Sequence, residues 1–175
     1  MSQNRSEEAE AAVRQAMKLA PDNASGYLML GSMLDHQGKR SEAEALYRRA
    51  LKLDPANSHV LNNLGYMMLE RNQNLDEAFR MIQKAVEAQP RNSSFLDSLG
   101  WAYFKLGRLD EAEQYLSEAA RVSESPTVQE HLGDVYQQRG KTEQARAVWQ
   151  KALKLSQAAE QTSRLKTKLG VETKK

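Results

Sequence analysis

The stretch NASGYLMLGSMLDHQGKRSEAEALYRRALKLDP, residues 23–55, determines how the rest of the chain is interpreted. It contains the pair Leu30-Gly31, and the same pair recurs at 64–65, 99–100 and 132–133. The four glycines lie 34, 35 and 33 residues apart. Four similar units therefore follow one another without a gap, and a period of this length predicts a repeat architecture.

Small residues recur at fixed distances after each glycine. One alanine follows after twelve or thirteen residues and a second one seven residues later, which indicates close helix crossings: Ala43 and Ala50, Ala78 and Ala85, Ala112 and Ala119, Ala145 and Ala152. Pro55 and Pro90 end their units, because proline cannot continue a helix and biases the residue before it away from one.

These residues resemble the tetratricopeptide repeat family, whose 34-residue signature combines aromatic residues, Leu-Gly, alanines and a closing proline. The first full unit matches the signature at Tyr27, Leu30, Gly31, Ala43, Tyr47, Ala50 and Pro55. Later units depart from it, since Leu61, Leu96 and Gln129 replace the first aromatic residue. The resemblance implies an all-α fold, a right-handed α-solenoid of antiparallel helix pairs with a C-terminal capping helix.

We predict a single domain over residues 1–175, built from a half repeat and four full units. The half repeat, residues 6–20, corresponds to a second helix alone, so either another surface replaces its first helix or upstream repeats have been removed. The units cover residues 24–57, 58–92, 93–125 and 126–155, followed by a capping helix at 157–169 and a tail at 170–175. The predicted first helices (helices A) are 24–37, 58–71, 93–106 and 126–139, and the second helices (helices B) are 41–53, 75–88, 109–122 and 142–155.

Residues in the turns predict where these helices begin and end. Gly38, Gly107, Gly140 and Asn72 accept the left-handed backbone that closes a helix. Polar side chains near the starts of the helices B are expected to satisfy their first amides: Ser41, Asp76 and Asp110.

Helical spacing sorts the residues of helix A in the third unit into two faces. Leu96, Leu99, Gly100 and Tyr103 fall on one face, which carries the repeat signature and is predicted to be core. A second stripe contains Asp97, Trp101, Phe104 and Lys105.

In the family this second stripe faces a concave groove where most partners bind, and the resemblance implies the same here. The candidate groove residues are Asn62, Tyr66, Leu69, Asp97, Trp101, Phe104, Lys105, Glu130 and Asp134. Trp and Tyr are favoured anchors in binding hot spots, so we expect a mixed apolar and acidic groove that binds a peptide or helix. The alternative is that these aromatic residues pack on a neighbouring helix B or a folded-back terminus.

Composition limits the possible functions. The net charge of +2 gives no overall field that favours nucleic acid, and no apolar run approaches the roughly 20 residues of a membrane helix. The absence of cysteine excludes a disulfide framework, a thiolate metal site and a thiol nucleophile. Basic residues near the end are interpreted as a solvated tail: Arg164, Lys166, Lys168, Lys174 and Lys175.

No motif predicts an enzyme, a metal site or a cofactor. RGKT at 139–142 lacks the earlier glycine of a phosphate-binding loop, and Val135 stands in its place. His36, His59 and His131 lie in different units without metal-pair spacing. Chaperone-binding members of the family hold the terminal carboxylate of their partner with a clamp of basic and Asn side chains. Only one of the residues at the matching positions, Asn63, fits this clamp, and the others are Leu28, Ser32, Ser94 and Ser98.

The sequence therefore predicts a non-enzymatic adaptor or assembly scaffold that binds a protein or peptide, with no nucleic acid partner and no membrane insertion. The alternative is a self-assembling homo-oligomer that uses the half repeat and the C-terminal cap. Residues 58–155 are also similar to the C-terminal repeats of large bacterial members of the family, some of them outer-membrane lipoproteins. That similarity implies a location in the bacterial envelope or periplasm, and the cytoplasm is the alternative location.

Overall fold

The computed structural model describes residues 2–171, with side chains from residue 5 onward. This part of the chain contains ten helices and no strand, which confirms the all-α prediction: α1 Ser2–Leu19, α2 Ala24–His36, α3 Arg40–Leu53, α4 Ser58–Glu70, α5 Leu75–Ala88, α6 Ser93–Lys105, α7 Leu109–Val122, α8 Pro126–Gln138, α9 Thr142–Leu155 and α10 Ala159–Leu169. Of the predicted tail, residues 172–175, with Lys174 and Lys175, lie outside the described residues.

Most helix bounds agree with the prediction to within one residue. The exceptions are α1, which begins at Ser2 instead of residue 6, and α10, which begins at Ala159 instead of residue 157. Residues 156–158 separate α9 from α10, so the capping helix is a separate helix.

The chain forms two compact units, Met1–Ala88 (unit 1) and Gln89–Lys175 (unit 2). In unit 1, α2 packs on α3 and α4 packs on α5, while α1 packs on α2. In unit 2, α6 packs on α7 and α8 packs on α9, while α10 packs on α9. Each predicted pair of helices A and B is thus a packed pair, and the assignment of all of them to one domain stays a prediction.

The recurring small residues lie where the paired helices cross. All eight signature alanines from Ala43 to Ala152 have 0% of their surface exposed. A Cβ atom added at Gly133 would lie 2.3 Å from Trp149 Nε1, and one added at Gly100 would lie 2.6 Å from Leu116 Cγ. The glycines therefore allow the close approach of helix A to helix B.

The helix caps differ from the sequence prediction. Side chains cap the helices A, with Asn23, Asn57, Asn92 and Ser125 each accepting a hydrogen bond from a backbone amide of the first turn. The helix α3 begins one residue earlier than predicted, whereas α5 and α7 begin where predicted. Ser41, Asp76 and Asp110 lie inside the first turn of these helices and are not the caps. The turn prediction is confirmed, because Gly38, Asn72, Gly107 and Gly140 all have positive φ.

Candidate functional site

Two stacked aromatic side chains form the centre of the candidate site in unit 2. The ring centroids of Trp101 and Phe104 lie 4.8 Å apart with their planes 14° from parallel. The ammonium nitrogen of Lys105 lies 5.4 Å from the centroid of the Trp101 ring. All three side chains are partly exposed, and we call Trp101, Phe104 and Lys105 the aromatic face.

A buried acid and imidazole pair from two successive helices A supports the aromatic face. Nδ1 of His131, on α8, lies 2.9 Å from Oδ1 of Asp97, on α6. The His131 ring also stacks on Trp101, with centroids 4.1 Å apart. Burial opposes protonation of His131, but the nearby Asp97 carboxylate, with Asp134 and Glu130, raises the imidazole pKa above its usual value. This pair fixes one side of the Trp101 ring.

The other two predicted acidic residues are bonded to the C-terminal helix. Lys168 donates from Nζ to Oε1 of Glu130 at 2.9 Å and to both carboxylate oxygens of Asp134 at 2.7 Å. Arg164 and Gln161 donate to Glu130 as well, and the Glu130 side chain is only 5% exposed. The helix α10 therefore covers the α8 part of the predicted groove stripe.

These bonds change the acidity of Glu130. Burial alone would raise the pKa of its carboxyl group, but the hydrogen bonds from Arg164, Lys168 and Gln161 outweigh burial and lower the pKa to about 2. Glu130 is therefore a charged structural anchor for α10 at neutral pH.

The lowered pKa of Glu130 predicts a loss of stability in acid. A carboxyl group whose pKa is lower in the folded protein than in the unfolded chain stabilises the fold. This contribution is fully present above pH 4.5, the pKa in the unfolded chain, and it is lost as the pH falls towards 2. We expect Glu130 to account for a decrease of about 2 kcal/mol in the free energy of unfolding between pH 6 and pH 3. Urea unfolding of the wild type and of Glu130→Gln at pH 6 and at pH 3 measures this decrease. An equal decrease in the variant would contradict its assignment to Glu130.

The remaining predicted groove residues lie on α4 in unit 1. Tyr66 is partly exposed, whereas Leu69 is completely buried and Asn62 is nearly so. Asn62 Oδ1 is a buried atom that has no hydrogen-bond partner. Leu69 therefore offers no surface to a ligand in this conformation.

Models of known protein families match this chain, and both matching models describe repeats of paired helices like those in the structure. The model "Cytochrome c-type biogenesis protein H TPR domain" matches residues 1–129, and a tetratricopeptide repeat model matches residues 127–160. The chain belongs to the tetratricopeptide repeat (TPR) family. No curated protein sequence matches this TPR chain.

Solved structures share the TPR fold with this chain. A thermophilic TPR protein of Thermus thermophilus has a TM-score of 0.77 at 21% identity, over 97% of this chain and 93% of its own. The pilus biogenesis factor PilW has a TM-score of 0.75 at 21% identity, over 97% and 81%. PilF of Pseudomonas aeruginosa has a TM-score of 0.70 at 22% identity, over 95% and 78%. These likenesses establish the TPR solenoid as the fold.

Sequence reasoning missed a pocket in unit 1. It lies between α2 and α4 and has a volume of about 430 Å³, with a lining of Ser25, Leu28, Met29, Ser32, Met33, His36, His59 and Asn63. The structure leaves Met29, a large apolar residue, more than half exposed in this lining, and the sequence pattern does not indicate that exposure. Leu28, Ser32 and Asn63 of this lining were considered as clamp positions, and the methionines that complete the pocket were not considered.

Tyr103 lies at the edge of the core. This residue was predicted to be core, but its side chain is only partly buried, at the edge of the cluster formed by α7 and α8. Its ring stacks on Tyr115 with centroids 5.4 Å apart, and the guanidinium of Arg108 lies 4.7 Å from the ring centroid. Tyr103 therefore packs on the core from its edge and contacts α7 through Tyr115 in this TPR pair.

Residues 2–171 contain no group of three or more His, Cys, Asp or Glu side chains that could hold a metal ion. None of their helices is both long and apolar enough to cross a membrane.

Proposed function

We propose that this TPR protein is a non-enzymatic interaction module that binds a segment of another protein through the aromatic face of unit 2. The observation that carries the proposal is the stacked pair of Trp101 and Phe104, which stays partly exposed on the predicted groove stripe. Large aromatic side chains at such positions supply much of the binding energy of protein interfaces. The buried pair of Asp97 and His131 holds Trp101 in place before a partner arrives.

A role in assembling larger structures is the specific form of this proposal. The family model carries the name of a cytochrome c-type biogenesis protein, and PilW is a type IV pilus biogenesis factor. Both names describe biogenesis factors. We infer that the bound segment belongs to a protein that is being assembled, and that the chain performs no chemistry on it.

A peptide selection tests the proposed binding. A displayed library of random 15-residue peptides is selected on the wild-type protein, and the affinity of the enriched peptides is measured by fluorescence anisotropy. The double variant Trp101→Ala/Phe104→Ala should lose this binding. Enriched peptides that bind the double variant equally well would place the site elsewhere and overturn the proposal.

Self-assembly is the second candidate function, and α1 carries the observation that favours it. Ala9 and Ala16 occupy the positions of the signature alanines, yet both are exposed, whereas their eight counterparts are completely buried. A second copy that covers this face would make the molar mass depend on concentration. Sedimentation equilibrium over a hundredfold concentration range should then show a mass above 19.8 kDa, and a constant monomer mass would rule out this candidate.

A further inference from the structure

The three carboxylates of the groove stripe in unit 2 are all engaged within the protein. Asp97 is bonded to His131, Glu130 to Arg164 and Lys168, and Asp134 to Lys168. A basic group of a partner would have to displace one of these intramolecular bonds before it could reach a carboxylate. The acidic residues in the sequence therefore do not make this face attractive to a basic partner.

Lys105 is in the opposite situation. Its ammonium lies near the Trp101 ring and, among residues 5–171, it forms no ion pair with a carboxylate. Attraction to the quadrupole of the ring holds an ammonium in place without cancelling its charge. The charge that the aromatic face offers to a partner is therefore positive, although its sequence reads as acidic.

We propose that the segment bound on the aromatic face is acidic, with one large apolar side chain against Trp101 and Phe104 and an Asp or Glu carboxylate on Lys105. This inference rests on the proposed function and names the chemical class of its partner. A carboxylate gains an ion pair with Lys105 and displaces nothing, whereas a partner's Lys or Arg at the same place meets a like charge. The helix α10 contributes to this selectivity, because Arg164 and Lys168 neutralise the acidic residues of α8.

A charge-reversal variant and a matched control test the proposed partner class. The random 15-residue library is selected separately on the wild-type protein, on Lys105→Glu and on Lys84→Glu. Lys84 is an exposed residue of α5 in unit 1, so its replacement changes the net charge by the same amount at a place remote in sequence from the aromatic face. The affinity of the best wild-type peptide is then measured on all three proteins.

We expect peptides enriched on the wild-type protein to contain an excess of Asp and Glu. Their dissociation constant should rise on the order of fivefold to tenfold on Lys105→Glu and stay unchanged on Lys84→Glu, as for a partly exposed ion pair that is replaced by a repulsion. An excess of basic peptides, no charge preference, or equal losses in both variants would overturn the inference.

The same data separate this inference from the proposed function. Peptides that depend on Trp101 and Phe104 but not on Lys105 would leave the interaction site intact and reject the acidic partner. A selection on the wild-type protein that enriches no peptide would overturn both.

Discussion

Replacing Gly133 with alanine is expected to lower the free energy of unfolding by about 2 kcal/mol. The new methyl group would lie 2.3 Å from Nε1 and 2.4 Å from Cδ1 of Trp149, so the indole ring has to move. Its N–H then loses the hydrogen bonds that it donates to the Glu130 carbonyl and to Asp134. Alanine gains about 1 kcal/mol in helix propensity over glycine, but overpacking and lost hydrogen bonds together exceed this gain.

Urea unfolding followed by circular dichroism measures this effect of Gly133→Ala. Gln138→Ala is the matched control, because it also introduces alanine into α8 but at an exposed position. The control should stay within about 0.5 kcal/mol of the wild type. A Gly133→Ala protein that is as stable as the wild type would show that the two helices do not need to approach so closely.

The double variant Trp101→Ala/Phe104→Ala is expected to weaken the binding of a selected peptide on the order of 100-fold. Both rings offer apolar surface on the same face, and Trp101 is held by its stacking on His131. Their removal takes away the two largest anchors and leaves Lys105 without the ring that positions it. Fluorescence anisotropy with the labelled peptide gives both dissociation constants.

A control variant shows whether weaker peptide binding comes from the loss of the Trp101 and Phe104 rings or from any loss of exposed apolar surface. Val122 is 54% exposed at the end of α7, a helix B, so Val122→Ala removes apolar surface away from the groove stripe. This variant should bind the peptide like the wild type. Phe104 also packs on the core cluster of α7 and α8, so the single variant Trp101→Ala is measured beside the double variant. Equal affinities of Trp101→Ala and the wild type would reject the aromatic face as the binding site.

The helices were predictable from the sequence because the signature residues have local physical roles. Leu-Gly at the crossing, the paired alanines and the glycines with positive φ each specify a backbone geometry in their own segment. A pattern with a fixed period then carries the same geometry to every unit. The caps of the helices B were less predictable, since Lys39 and Arg108 occupy the cap positions of α3 and α7 without a side-chain hydrogen bond, while Ser41 and Asp110 lie in the first turn.

The candidate site was predictable only in part, because its properties depend on contacts far apart in sequence. Helical spacing placed Asp97, Trp101 and Phe104 on one face. It did not reveal that His131 would bond to Asp97, 34 residues away, or that Lys168 of α10 would bond to Asp134 at the same separation. These contacts occupy the carboxylates of Asp97, Glu130 and Asp134 within the protein, which the sequence pattern alone does not indicate. The methionine-lined pocket was missed for the same reason, since it needs residues from both α2 and α4.

The two tryptophans permit the most direct test of the central claim that partners bind on the aromatic face. A ¹⁵N–¹H correlation spectrum contains one indole signal from the partly exposed Trp101 and one from the buried Trp149. We predict that titration with a selected peptide shifts the Trp101 indole signal progressively and leaves the Trp149 signal nearly in place. Saturating peptide that leaves the Trp101 signal unmoved would contradict the account.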